Sequence, residues 1–135
     1  MHRQEQVNAS HFNEIEVVLN DYFTGLYHAD SSVLASVFHP DARYVNTVIG
    51  DYMNYSITEY FDIIDRRTPP SANAEARADQ IISIELGSPS MAFAKVSMMM
   101  LGRSYLDFLT LICDGGQWQI LSKVFSYQPN QEQEA

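Results

Sequence analysis

Asp107 is a lone carboxylate in the run Ser104-Tyr-Leu-Asp-Phe-Leu-Thr-Leu111. An acid inside an apolar strand costs free energy unless something pairs with it. It therefore marks a structural hydrogen bond or a working site. Carboxyl groups in apolar pockets hold their protons to higher pH and can take and return one near neutrality. His39, in Phe-His-Pro-Asp-Ala, is a second candidate proton carrier, because imidazole titrates in the same range. It could pair with Asp107; the plainer reading is a turn residue whose ring bonds a backbone carbonyl. Asp41 is expected to order the turn after Pro40 through its own backbone. Tyr22, Tyr44, Tyr60 and Tyr105 offer ring walls and sparse hydroxyls, the composition of a ligand pocket, although core packing would use them equally well. Met98 and Trp118 complete the candidate ligand-contacting set, with a core position as the alternative for each.

Other chemistries lack their residues. There is no HExxH or CxxC, and His2, His11, His28 and His39 have no ligand-like spacing, so no metal is expected. There is no GxSxG, and Cys113 has no basic neighbours in the sequence, which argues against covalent catalysis by serine or cysteine. No glycine-rich loop precedes a helix, so neither nucleotide phosphate binding nor any cofactor is expected. A net charge of −9 argues against nucleic acid and anionic membranes as partners. No apolar run is long enough to span a bilayer, and the polar start and single cysteine suit a cytoplasmic protein.

The elements that must carry these residues follow from periodicity. Phe12, Ile15, Leu19, Tyr22 and Leu26 form one helical stripe over about Ser10 to Tyr27. Asp30 caps a short second helix that Pro40 ends. Arg43 to Val48 and Tyr52 to Tyr55 read as strands. Ser56 and Glu59 form a capping box opening a third helix through Tyr60 and Ile64, which Pro69-Pro70 stops. Glu75 to Leu86 is a long strand, and three more run from Phe93 to Tyr127. The order predicts an α+β domain over residues 1–135, with an ordered core of about 8–128 and a disordered tail at 129–135.

Two tight turns set the expected faces of the last three strands. Gly115-Gly116 pairs Asp114 with Gln117, so Leu109 faces Ser122 and Asp107 faces Val124. Gly102-Arg103 pairs Met98 with Asp107. Alternation then puts Ala92, Ala94, Val96, Met98, Met100, Tyr105, Asp107, Leu109, Leu111, Trp118, Ile120, Ser122 and Val124 on one face. The other carries Phe93, Lys95, Ser97, Met99, Leu101, Leu106, Phe108, Thr110, Ile112, Leu121, Lys123 and Phe125. A one-residue bulge would swap part of this assignment.

Tyr22-Phe-Thr-Gly25, Asp30, Phe38-His-Pro-Asp-Ala42 and Gly50 resemble the N-terminal half of the nuclear transport factor 2-like superfamily. Ala92-Phe-Ala-Lys-Val96, Tyr105-Leu-Asp-Phe-Leu109, Asp114-Gly-Gly-Gln-Trp118 and Ile120-Leu-Ser-Lys-Val-Phe125 resemble its C-terminal half. The nearest branch is the putative lumazine-binding proteins, neighbours of the SnoaL-like polyketide cyclases, and the match spans about Phe12 to Tyr127. The resemblance implies a curved antiparallel sheet wrapped as a cone around the first helix, a pocket at the open end, and dimerisation through the outer face. It also aligns Asp107 with a pocket-facing acid, as in the ketosteroid isomerases that share this fold. Function within the superfamily is diverse and does not follow from the fold.

These readings converge on a homodimeric small-molecule-binding protein with an apolar, tyrosine-rich pocket. The alternatives are a cofactor-free acid–base enzyme of isomerase, dehydratase or cyclase type using Asp107, and an association module without a working pocket. With Arg66 and Arg67 ending a helix and Arg103 in a turn, the expected ligand is neutral, cyclic or aromatic. Asp107 is expected to point into a cavity between the first helix, the third helix and the sheet. Lys123 is expected on the outer face, in an interface ion pair.

Overall fold

The computed structural model describes residues 2–129, with side chains from residue 7 on. The side chain of His2 and tail residues 130–135 lie outside the described residues. The helices are α1 (His2–Tyr27), α2 (Ser31–Val37) and α3 (Ile57–Arg66). The strands are β1 (Phe38–Asn46), β2 (Met53–Ser56), β3 (Ala78–Ser88), β4 (Met91–Met100), β5 (Arg103–Asp114) and β6 (Gln117–Pro129). They form one curved, unclosed sheet in the order β2-β1-β6-β5-β4-β3.

The α+β layout is as expected, with one correction: the sheet is not wholly antiparallel, because β1 runs parallel to β6. These two strands are far apart in sequence and joined by no hairpin, so no turn fixes their relative direction. β1 begins at Phe38 rather than Arg43 and includes Pro40. Its pairing with β6 is irregular between Phe38 and Arg43, where a residue without a backbone N–H is tolerated.

α1 buries Ile15, Leu19, Tyr22 and Leu26, the expected stripe. They pack on Ala92, Ala94, Val96, Leu109, Leu111 and Ile120 of the sheet's inner face. α2 lies close across Gly25, where a Cβ would meet the Leu34 side chain at 2.7 Å. Asp30 caps α2 by accepting from Ser32 N and Val33 N. The capping box of α3 forms in full, with Ser56 Oγ accepting from Glu59 N and Glu59 Oε1 accepting from Ser56 N.

The two late hairpins turn out differently. The β4–β5 turn is Leu101-Gly102, both at positive φ, one residue before the expected Gly102-Arg103. The slip moves the pairing by two, so Asp107 faces Val96 and Met98 faces Tyr105, and the face assignment survives. The β5–β6 turn is Gly115-Gly116 as expected, with Cys113 opposite Trp118 and Leu111 opposite Ile120. The register then shifts: Thr110 faces Ser122, Leu109 faces Lys123 and Asp107 faces Phe125. A bulge at Leu121 inserts one extra residue, bends the strand and exchanges its faces. The expected positions of Lys123 and Phe125 are therefore corrected. Both are buried on the inner face, at 4% exposure, while Val124 moves outward.

Candidate functional site

β5 brings Asp107 to the inner face, and the bulge in β6 brings Lys123 to meet it. Asp107 is wholly buried. Tyr22 on α1 donates its hydroxyl to Asp107 Oδ2 at 2.5 Å. Lys123 Nζ stands 3.9 Å from the same oxygen. Its hydrogen bond goes instead to Tyr60 Oη on α3, at 3.1 Å. The ammonium is boxed by the rings of Tyr22, Tyr60 and Phe125, each at 5.1 Å, and Tyr44 at 5.5 Å. Asp107 Oδ1 has no hydrogen-bond partner among the described residues.

Burial dominates the electrostatics. It raises the pKa of the Asp107 carboxyl, although Lys123 and the Tyr22 hydroxyl both pull it down. Burial, and then the neighbouring carboxylate, push Tyr22 well above the usual phenol value. Burial also raises Tyr60 and takes Tyr44 to about 12, with Lys123 opposing the rise in Tyr44. The three phenols therefore remain donors at neutral pH, and Asp107 is the group whose proton affinity moves toward neutrality. Few structural cores keep an acid and an amine together in this setting, since desolvating both costs several kcal/mol per ion.

Four of the sequence-derived candidates meet here: Asp107, Tyr22, Tyr44 and Tyr60. Tyr44 stacks on Tyr60 at 4.2 Å and lies nearly parallel to Tyr55, its cross-strand partner, at 6.1 Å. Tyr105 lies further out, between Phe125 and Tyr127. Met98 is buried, opposite Tyr105 on the neighbouring strand, and lines a small recess with Phe23, Leu26 and Met100. Trp118 sits elsewhere as well, donating from Nε1 to His11 Nδ1 at 3.1 Å. It borders an external groove of about 410 Å³ between α1, α2 and the Gly115-Gly116 turn.

His39 does not meet Asp107. Its Nε2 lies 3.1 Å from Asp114 Oδ2, and its Nδ1 accepts from Asp41 N, so at the start of β1 the ring meets a backbone N–H rather than the expected carbonyl. The elements expected to bound a cavity at Asp107 do surround it, and the rings of Tyr22, Tyr44, Tyr60 and Phe125 stand close around the Lys123 ammonium there.

Lys123 is the site residue that sequence reasoning missed. Its signal is a break in alternation: the apolar residues of β6 run Trp118, then the adjacent pairs Ile120-Leu121 and Val124-Phe125. An out-of-phase step between Ile120 and Phe125 is what a bulge writes into a sequence.

The model of the family described as putative lumazine-binding matches residues 10–126. Over 127 residues the chain is 28% identical to an aldolase, FrzH, of a Cladobotryum species, covering 93% of this chain and 98% of that protein. An NTF2-like protein of unknown function from Shewanella baltica superposes with a TM-score of 0.80 at 25% identity, covering 90% of this chain and 97% of the other. A ketosteroid isomerase-like protein from Erwinia carotovora atroseptica shares the fold, with a TM-score of 0.69 at 16% identity over 87% of this chain and 96% of its own.

Proposed function

The chain belongs to the putative lumazine-binding family, with the NTF2-like fold, and on that premise we propose that it binds a small neutral carbonyl compound at Asp107 and moves a proton on it without a cofactor. One observation carries this reading: a fully buried carboxylate keeps one oxygen unpartnered beside a buried ammonium. Strained and incompletely satisfied charges of this kind cluster at working sites. The similarity to an aldolase supports carbonyl chemistry.

Asp107 would take a proton from the carbon next to the carbonyl. Lys123 and the hydroxyl of Tyr60 or Tyr22 would face the oxygen on which negative charge develops. Donors fixed in a dry site stabilise such an oxyanion without reorganising. Ligand access requires the Tyr60–Tyr44–Tyr55 stack to part. β2 carries Tyr55, is only four residues long and forms a sheet edge, which suits local opening. Arg66 ends α3 and Arg103 lies over the Tyr127 ring at 4.0 Å, and although the charge of Arg67 reaches Tyr44 and Tyr60, the ammonium held by the rings is that of Lys123, so a neutral ligand suits the interior better than a phosphate.

A second reading, an association module, is favoured by the aromatic filling of the interior and by the outer face. That face exposes Phe108, Leu106, Met99 and Val124. A second copy covering it would form the expected homodimer, and sedimentation of a stable monomer at micromolar concentration would remove that partner.

The test of the first reading is deuterium exchange at the α-carbons of a panel of cyclic ketones and aldehydes. Wild-type protein is expected to accelerate exchange, and folded Asp107→Asn to lose that acceleration. No acceleration by wild type for any compound would favour the association module.

A further inference from the structure

We propose that Lys123 forms an imine with the carbonyl substrate, making its Nζ the covalent attachment point inside the cage of Tyr22, Tyr44, Tyr60 and Phe125. The inference rests on the carbonyl reading above and narrows the substrate to an aldehyde or ketone bearing a hydrogen on the adjacent carbon.

The geometry carries three arguments. The first is the spacing of the ion pair. Charge-assisted N–H···O bonds close to about 2.7–2.9 Å, yet Lys123 Nζ stands 3.9 Å from Asp107 Oδ2. Only close, well-aligned geometry offsets the desolvation of two buried ions. A purely structural pair at this depth should close that gap, whereas here the amine is held by Tyr60 alone.

The second is the cage. Four rings within 5.5 Å present their π systems to the nitrogen. A protonated imine carries the same single positive charge at the same atom, so the cation–π stabilisation is kept when the bond forms. The cage also excludes the water that would hydrolyse the adduct early.

The third is the free oxygen. Asp107 Oδ1 accepts no hydrogen bond from the described residues. The carboxylate therefore keeps one oxygen able to hold a proton, although Oδ2, which faces the ammonium at 3.9 Å, already accepts from Tyr22.

The step balances as follows. The ammonium passes one proton to Asp107, and the freed lone pair of Nζ bonds the carbonyl carbon while the C=O π pair moves to oxygen. That oxygen collects the Asp107 proton and the second proton shed by nitrogen, and departs as water. Ammonium plus carbonyl has become protonated imine plus water. Asp107, again a carboxylate, takes a proton from the adjacent carbon. The C–H pair becomes a C=C bond and the C=N pair returns to nitrogen, giving an enamine. Its C=C pair then bonds the carbon of a second carbonyl, the nitrogen pair re-forms C=N, and the acceptor's C=O pair moves to oxygen, which takes the proton held by Asp107. Addition of one water to this protonated imine releases the product and restores the Lys123 ammonium. The substrate class is thus an enolisable carbonyl donor together with a carbonyl acceptor, free or within the same molecule.

The chain has two lysines, Lys95 and Lys123, which makes the test clean. The full-length protein is incubated with cyclohexanone and sodium cyanoborohydride, and the reduced adduct is mapped by peptide mass. One cyclohexyl group is expected on Lys123, forming before any on Lys95 or the α-amino group. It should persist in Lys95→Arg and vanish in Lys123→Arg, which keeps the charge but cannot form an imine. Modification confined to Lys95 or the α-amino group, or no modification of wild type, overturns the proposal whether or not Lys123→Arg folds. Asp107-dependent α-deuteration without any Lys123 adduct would sink the imine and leave the acid–base reading standing.

Discussion

Asp107 and Asp114 sit on the same strand, and each meets a side chain that can carry positive charge. Asp114 pairs with His39 at 3.1 Å, its side chain 65% exposed. Asp107 stands 3.9 Å from Lys123, both side chains almost wholly buried. The shorter contact is the less consequential one. Asp114 keeps most of its hydration while the His39 ring is 15% exposed, and a contact with one partner in solvent is worth about 0–1 kcal/mol. In the interior the same chemistry forgoes hydration, and what remains must come from Tyr22, Tyr60 and the surrounding rings. The comparison teaches that surroundings, more than distance, decide which acid can work. It also explains why burial raises the Asp107 carboxyl despite a lysine beside it.

The largest difference between the two pairs should appear when one partner is removed. Lys123→Met leaves Asp107 buried with only the Tyr22 hydroxyl, and is expected to cost about 3–5 kcal/mol in urea unfolding. The double variant Asp107→Leu with Lys123→Met should recover most of that loss, because an apolar pair of similar volume needs no hydration replaced. A double variant no more stable than the single would mean that the pair is not coupled.

Tyr22→Phe comes next. It removes the one hydrogen bond that Asp107 accepts, at a cost of about 1.5–3 kcal/mol for a bond to a charged group. The loss should shrink at acid pH, where Asp107 is protonated. A pH-independent loss would point to simple packing.

The pH dependence of stability sharpens the contrast further. The carboxyl of Asp107 has a higher pKa folded than unfolded, so its contribution is full below the ordinary aspartate value of about 4. It is lost as pH rises through the raised native value. Asp107→Asn should flatten the stability profile over that window. At the alkaline end, unfolded phenols release protons near pH 10. Tyr44 holds its own to about 12, and Tyr22 and Tyr60 are also raised. Stability should therefore fall from about pH 10 upward, with ionisation of these three accompanying unfolding, as ultraviolet absorbance would follow.

The smallest effect is expected on the surface. His39→Ala should cost about 1 kcal/mol, the worth of the hydrogen bonds its ring makes to Asp114 and to Asp41 N. A cost several times larger would show that His39 does more than hold the start of β1.

Much of the fold was legible because each element carries its own local signal. The stripe of α1, the capping box at Ser56 and the Gly115-Gly116 turn all depend on residues close in sequence. The β4–β5 turn was misplaced by one residue, since Leu101 adopts a positive φ that leucine rarely takes. The two-residue slip in pairing kept every face intact. The site was legible only in part. Asp107 and three of its ring neighbours follow from strand and helix periodicity, whereas Lys123 depends on the bulge at Leu121. That bulge sits in mid-strand, where no turn residue announces it, and it exchanges the faces of all that follow. The parallel β1–β6 pairing is a long-range choice that no local pattern encodes.

The central claim is that the interior at Asp107 receives a ligand. NMR titration of the protein with neutral cyclic ketones, following tyrosine ring signals and the Lys123 side chain, tests it most directly. Saturable shifts are expected at Tyr22, Tyr44, Tyr60 and Lys123, weakened in Asp107→Asn. Shifts confined to the groove beside Trp118 or to the outer sheet face, with those four residues unmoved, would contradict it.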